Sequence, residues 1–297
     1  MRRFKNILAY VNLAFDEHSA LARGVRLARH NNANLTAMTV IEEHPAQAHA
    51  LLRSIHLEDA LETIEREYRE PFVQPVRDAS LDVETFVAHG STFIEISRAA
   101  SKLKTRLVVL GARGLSGIQR FFLGSVSEKV AKYAPYPVLI GCAHGQMPDK
   151  ISADEFEASG PLTLVVSSDG LAASDDAVRT IASLPPPASE TSLFAVATVT
   201  HTHKTLLFEE PGMERMWQDE RMAAEEVLGR SVSRLKECGC HEIRAYGERD
   251  PADEIPRAAE ANNADLFAIG ISGHSGIKRF LLGSVSDRVL RYAKCSV

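Results

Sequence analysis

Residues 111–134, GARGLSGIQRFFLGSVSEKVAKYA, recur as residues 270–293, GISGHSGIKRFLLGSVSDRVLRYA. The two stretches align without gaps at an offset of 159 residues, and 15 of 24 positions are identical. Solenoid units recur every ~20–50 residues, so an offset this long means duplication of a whole domain. A chain of 297 residues has room for two domains of ordinary size.

The rest of each half follows one plan. KNILAYV (5–11) and LTLVVSS (162–168) open the halves as apolar, β-branched runs, the pattern of strands buried on both faces of a parallel sheet. Helix-like segments follow at 18–30 and 174–184, then strand-like LTAMTVI (35–41) and SLFAVATV (192–199). Long amphipathic stretches at 46–70 and 213–237 lead to third strands at 81–87 and 241–247, and fourth strands fall at 105–111 and 264–270. Between these, Thr92–Lys102 and Pro251–Asn262 read as helices, the second opening on Pro and then acidic residues. YPVLIG (136–141) closes the first half as a fifth strand. Strands alternating with helices predict βαβ units with right-handed crossovers. The expected fold is α/β, with two tandem doubly wound parallel-sheet domains at 1–145 and 161–297. The polar stretch between them, 146–160, is the expected linker. The second half reaches Lys294-Cys295-Ser296-Val297 where a fifth strand should begin, so either it lacks its outer strand or the sequence is truncated.

Composition narrows the function classes. The net charge is -5 and the pI about 6.1, which gives no broad attraction to nucleic acid or anionic lipid. No apolar run approaches the roughly 20 residues that span a bilayer. The N-terminal MRRFKNILAYVNL has a basic start, but its apolar stretch is short, is broken by Asn12 and lacks a small-residue cleavage site. It reads as a strand, and the protein as cytoplasmic. Cys142, Cys238, Cys240 and Cys295 form no C-x-x-C pair or disulfide framework, and Cys238-Gly239-Cys240 reads as a helix-to-strand turn.

The chemistry gathers after each fourth strand. Gly111, Gly114, Gly124 and Ser125 form G-x2-G-x9-G-S, and Gly270, Gly273, Gly283 and Ser284 repeat it. A helix begins at each G-S, where VSEKVAKYA and VSDRVLRYA carry helical spacing of apolar residues. Glycines at a strand's carboxyl end let backbone N–H groups approach an anion closely. A serine at a helix start can cap it, and the helix N-terminus adds unpaired N–H groups and a positive dipole. Open α/β sheets bind ligands at this edge. No G-K-[ST] follows and G-x-G-x-x-G is absent, so this is neither a P-loop nor a dinucleotide fingerprint. A tight structural turn would explain one such pattern; two at matching positions, each preceded by R-F-[FL]-L, favour a phosphate site.

The pattern G-x2-G-x9-G-[ST] after a fourth strand resembles the nucleotide motif of universal stress proteins, and the duplication resembles their tandem members. The resemblance covers nearly the whole chain. It implies two five-stranded domains of the adenine-nucleotide α-hydrolase-like kind that bind ATP, alone or with Mg. It places phosphates at Gly111, Arg113, Gly114, Gly124, Ser125, Val126 and Ser127, and at Gly270, Gly273, Gly283, Ser284, Val285 and Ser286. It places adenosine at Asn12 and Asp169, just past the first strand of each half, and at the backbones of Val40 and Val199. The family's aspartate is kept as Asp169 and replaced by the uncharged Asn12 in the first half. The family's glycine before the helix preceding strand four is kept as Gly90 and replaced by Arg249. Partners implied are an adenine nucleotide, the other domain of the same chain and a second copy as a homodimer.

Other candidates are thinner. Arg120, Lys278 and Arg279 are basic residues of the two loops, and His274, in the second, is the single acid–base candidate for a slow ATPase. His201-Thr202-His203 lacks the further ligands of a metal site. An ATP-binding regulatory module for the stress response is therefore expected, against a slow hydrolase or a nucleotide-free interaction protein. Replacing Gly273 or Gly283 with a bulky residue should abolish nucleotide binding by the second half; undiminished binding in a titration would remove the site assignment.

Overall fold

A computed structural model describes residues 4–12, 19–42, 83–111, 124–141, 163–169, 172–183, 192–198, 213–237, 241–247, 251–264, 266–271, 284–293 and 295–297. The chain divides into two compact units near residue 158.

The first unit runs β1 (Asn6–Tyr10), α1 (Ser19–Asn31), β2 (Asn34–Ile41), β3 (Glu84–His89), α2 (Thr92–Lys102), β4 (Leu107–Gly111), α3 (Ser125–Tyr133) and β5 (Val138–Gly141). Its five strands lie in the order β3-β2-β1-β4-β5 and all pair in parallel. The second unit runs β6 (Thr163–Ser167), α4 (Ala172–Ser183), β7 (Ser192–Thr198), α5 (Met213–Glu237), β8 (His241–Gly247), α6 (Pro251–Ala261), β9 (Leu266–Ala268) and α7 (Ser284–Tyr292). Its sheet order is β8-β7-β6-β9, again parallel. The amphipathic stretch 46–70 and the linker 146–160 lie outside the described residues.

Both faces of each central strand are buried, as the apolar runs predict. Successive side chains of a strand point to opposite faces. Leu164 and Val166 join one cluster with Val178, Ile181 and Ala182 of α4 and Leu228, Val232 and Leu235 of α5. Val165, between them, joins Ile255 and Ala259 of α6, Phe267 of β9 and Val289 of α7. In the first unit Leu8 and Tyr10 pack with Ile96 of α2 and Val130 of α3. On the opposite face α1 comes close enough that a Cβ on Gly24 would lie 3.2 Å from the Ala9 Cβ.

The fifth strand of the second unit was expected to be absent or cut short. Ser296 makes a parallel bridge to Leu266, and the Phe267 N–H donates to the Ser296 carbonyl at 2.7 Å. Val108 donates likewise to the Pro137 carbonyl at 3.1 Å, where the chain enters β5. Ser296 thus occupies the position that leads into a fifth strand.

Three helices end in one way. Asn32, Lys104 and Asn263 have φ of 49°, 50° and 48°. The following N–H groups of Ala33, Thr105 and Ala264 reach back to the carbonyls of Ala28, Ala100 and Ala259 at 2.8–2.9 Å. This is the Schellman closure, which satisfies orphan carbonyls at the helix end. Asn tolerates the left-handed region; Lys104 does not. Lys104→Gly should therefore stabilise the first unit by about 0.5–1 kcal/mol, the relief of left-handed strain less glycine's extra chain entropy. Urea unfolding should show a higher midpoint with an unchanged slope.

Candidate functional site

In both units the first and fourth strands lie side by side and the chain departs to opposite sides of them. That divergence leaves a crevice at the carboxyl ends of the strands, the ordinary ligand position in open α/β sheets. In the first unit Tyr10 pairs with Met38 and Leu110, which brings Asn12, Val40 and Gly111 to one sheet edge. In the second, Val166 pairs with Ala268, which brings Asp169 and Gly270 to the same edge.

The helix start that follows the glycine stretch is best defined in the first unit. Gly124 is the N-cap of α3, with extended backbone at φ -62° and ψ 148° and no side-chain cap hydrogen bond. The N–H groups of Ser125, Val126 and Ser127 head the helix, where no intrahelical acceptor exists. Ser125 is exposed, and the Val126 side chain packs against the core. The buried Ser127 hydroxyl donates to the Gly111 carbonyl at 3.0 Å. The second unit repeats this bond, Ser286 donating to the Gly270 carbonyl at 3.1 Å, and Val285 packs into the core as Val126 does. Each glycine stretch therefore leaves and re-enters the fold at two points joined by one hydrogen bond. The sequence placed Ser127 and Ser286 among the phosphate ligands; their hydroxyl hydrogens are directed at backbone carbonyls. Arg113, Gly114, Gly273 and Gly283 lie outside the described residues, as does Val199. Ser284 begins α7.

Gly270 has a second role that its motif did not announce. A Cβ there would collide with the carbonyl group of Ala173 and the backbone nitrogen of Ser174. The end of β9 rests directly on the first turn of α4, and only glycine fits.

The residues just past the first strand differ between the halves. Val40 is buried in the core cluster, which leaves only its backbone to face a ligand. Asn12 is partly buried just past β1. Asp169 is exposed, and its Oδ1 accepts the Ser174 hydroxyl at 2.6 Å. In the first unit the buried Thr92 hydroxyl at the start of α2 donates to the Glu42 carboxylate just past β2. The turn from β3 into α2 is set by Gly90, whose φ of +127° suits only glycine. Neither the Ser174–Asp169 nor the Thr92–Glu42 bond was legible in the sequence, because each joins residues that only the fold brings together. Among the described residues no group of three or more His, Cys, Asp or Glu is placed to hold a metal ion, and no helix is long and apolar enough to cross a membrane.

Two doubly wound parallel-sheet units, each with a serine bond across the strand and helix that flank its glycine stretch, define a tandem α/β module. The universal stress protein family model matches residues 3–140 and again 163–297, and the chain belongs to that family. A protein of Staphylococcus haemolyticus described as a universal stress protein is 29% identical over 141 residues, covering 47% of this chain and 86% of its own. The crystal structure of a Pseudomonas aeruginosa protein described in the same way aligns with 99% of this chain and 92% of its own, at TM-score 0.65 and 17% identity. One from Archaeoglobus fulgidus covers 98% of this chain and 94% of its own, at TM-score 0.61 and 18% identity. At those identities the likeness is one of fold, and it extends through both domains.

The pins are directly testable. Ser127→Ala and Ser286→Ala should each cost about 1 kcal/mol, the net value of a hydrogen bond whose loss leaves a partly buried carbonyl without that donor. Gly270→Ala should cost more, ~3 kcal/mol, because a Cβ must displace backbone rather than a side chain. Denaturant unfolding of the three variants gives the order.

Proposed function

We propose that the protein binds ATP at the carboxyl edge of each sheet and acts as a nucleotide-dependent regulatory module in the stress response. The observation that carries the reading is the repeated pin: in both units a serine from the helix start holds the glycine that ends the fourth strand. In the first unit that helix start has a glycine N-cap, which leaves its leading N–H groups for an anion. A triphosphate would lie along Gly111, Arg113, Gly114, Gly124, Ser125 and the backbone of Val126 and Ser127. In the second unit it would lie along Gly270, Gly273, Gly283, Ser284, Val285 and Ser286. Adenosine would lie against Asn12 and the Val40 backbone in one unit, and against Asp169 and the Val199 backbone in the other. Mg would accompany the phosphates as part of the ligand. The protein works in the cytoplasm, where occupancy orders the glycine loops and biases the pairing of its two domains or of two copies.

Small molecules released by denaturing the purified protein should include ATP, counted per chain by mass spectrometry. Two per chain is expected if both units fill, and one per chain would single out the Asp169 unit. No nucleotide, followed by no binding when ATP is titrated in, would overturn the proposal.

A further inference from the structure

We infer that Ser174 is a positioning residue for the nucleotide site of the second unit, fixing the Asp169 carboxylate for a sugar hydroxyl and coupling it to the glycine stretch. The inference rests on the ATP-site reading above and deepens it.

The geometry begins with one buried hydroxyl. Ser174 stands in the first turn of α4, and its hydroxyl donates to Asp169 Oδ1 at 2.6 Å. The same oxygen accepts the Asp169 backbone N–H at 3.3 Å. The Ser168 hydroxyl lies 3.4 Å from it. A serine hydroxyl has one hydrogen and two lone pairs. With the hydrogen given to the carboxylate, Ser168 is the donor of the third contact, and the Ser174 hydroxyl is fully used. Ser168 and Ser174 are both buried, and burial strengthens a satisfied polar network. Asp169 itself is exposed. One end of this network is therefore fixed inside the domain, and the other presents an oriented carboxylate at the sheet edge.

The backbone of the same residue meets the phosphate end. Gly270 abuts Ala173 and Ser174 so closely that no Cβ fits, and the Gly270 carbonyl takes the Ser286 hydroxyl from α7. A contiguous path runs from Asp169 through Ser174 to Gly270 and on to Ser286. A carboxylate only accepts hydrogen bonds; on adenosine the ribose hydroxyls and the adenine amino group can donate, and of these we assign the hydroxyls. Ser174 would thus set both the angle at which that hydroxyl is met and the distance to the glycine stretch.

The test uses the full chain, freed of endogenous nucleotide, with ATP and 2′,3′-dideoxy-ATP titrated into the wild type, Ser174→Ala, Ser174→Thr and Asp169→Asn. The wild type should prefer ATP at its tighter site. Ser174→Ala should weaken ATP there about tenfold and dideoxy-ATP little, because the loss is of a hydrogen bond to a charged group. Ser174→Thr keeps the hydroxyl and should restore the preference; it also serves if the alanine variant folds poorly. In Asp169→Asn, adding Ser174→Ala should change the preference no further. A general loosening of the fold would weaken both ligands alike, and that result, or an undiminished preference in Ser174→Ala, overturns the role of Ser174 while leaving ATP binding intact. A wild type that binds neither ligand overturns the ATP reading itself.

Discussion

Burial of one strand on both faces governs the architecture of each half. β6 sends Leu164 and Val166 into the cluster under α4 and α5, and Val165 into the cluster under α6, α7 and β9. β6 also has both edges covered by hydrogen-bonded neighbours, β7 and β9, and β1 stands in the same way between β2 and β4. Two neighbours reached by parallel crossovers oblige the chain to leave the central strand in one direction and later return on its other side. The crevice is a by-product of that obligation.

Fixing the crevice's floor falls to small groups. Two serine hydroxyls, Ser127 and Ser286, tie the helices after the glycine stretches to the strands before them. Such bonds span few atoms and lie in buried surroundings, so they hold position tightly where a longer side chain would not. Gly270 adds a contact of backbone on backbone, which brings the fourth strand of the second unit against the helix that follows its first. The first and last parts of the ligand edge are thereby set by one turn of α4.

The halves repeat the frame but not its chemistry. The second unit carries a charged carboxylate held by Ser174, whereas the first has the amide Asn12 and a carboxylate, Glu42, on the neighbouring strand, bound to Thr92. Gly90, in its left-handed turn, is matched in the sequence by Arg249. The serine pins are kept in both halves.

Much of this was written in the linear pattern. The 159-residue offset and the apolar runs determined the number of domains and the strand and helix order, because those features are local or periodic. Helix bounds such as Thr92–Lys102 and Met213–Glu237 follow from that periodicity directly. What only the tertiary structure decided is which polar groups meet. Ser127 finds the Gly111 carbonyl 16 residues away, Glu42 finds Thr92 50 residues away, and the Gly270 backbone finds Ala173 and Ser174 across the sheet. Those meetings depend on the crossing of strands and helices in space, and no spacing along the chain encodes a contact whose partners are brought together by packing of the core.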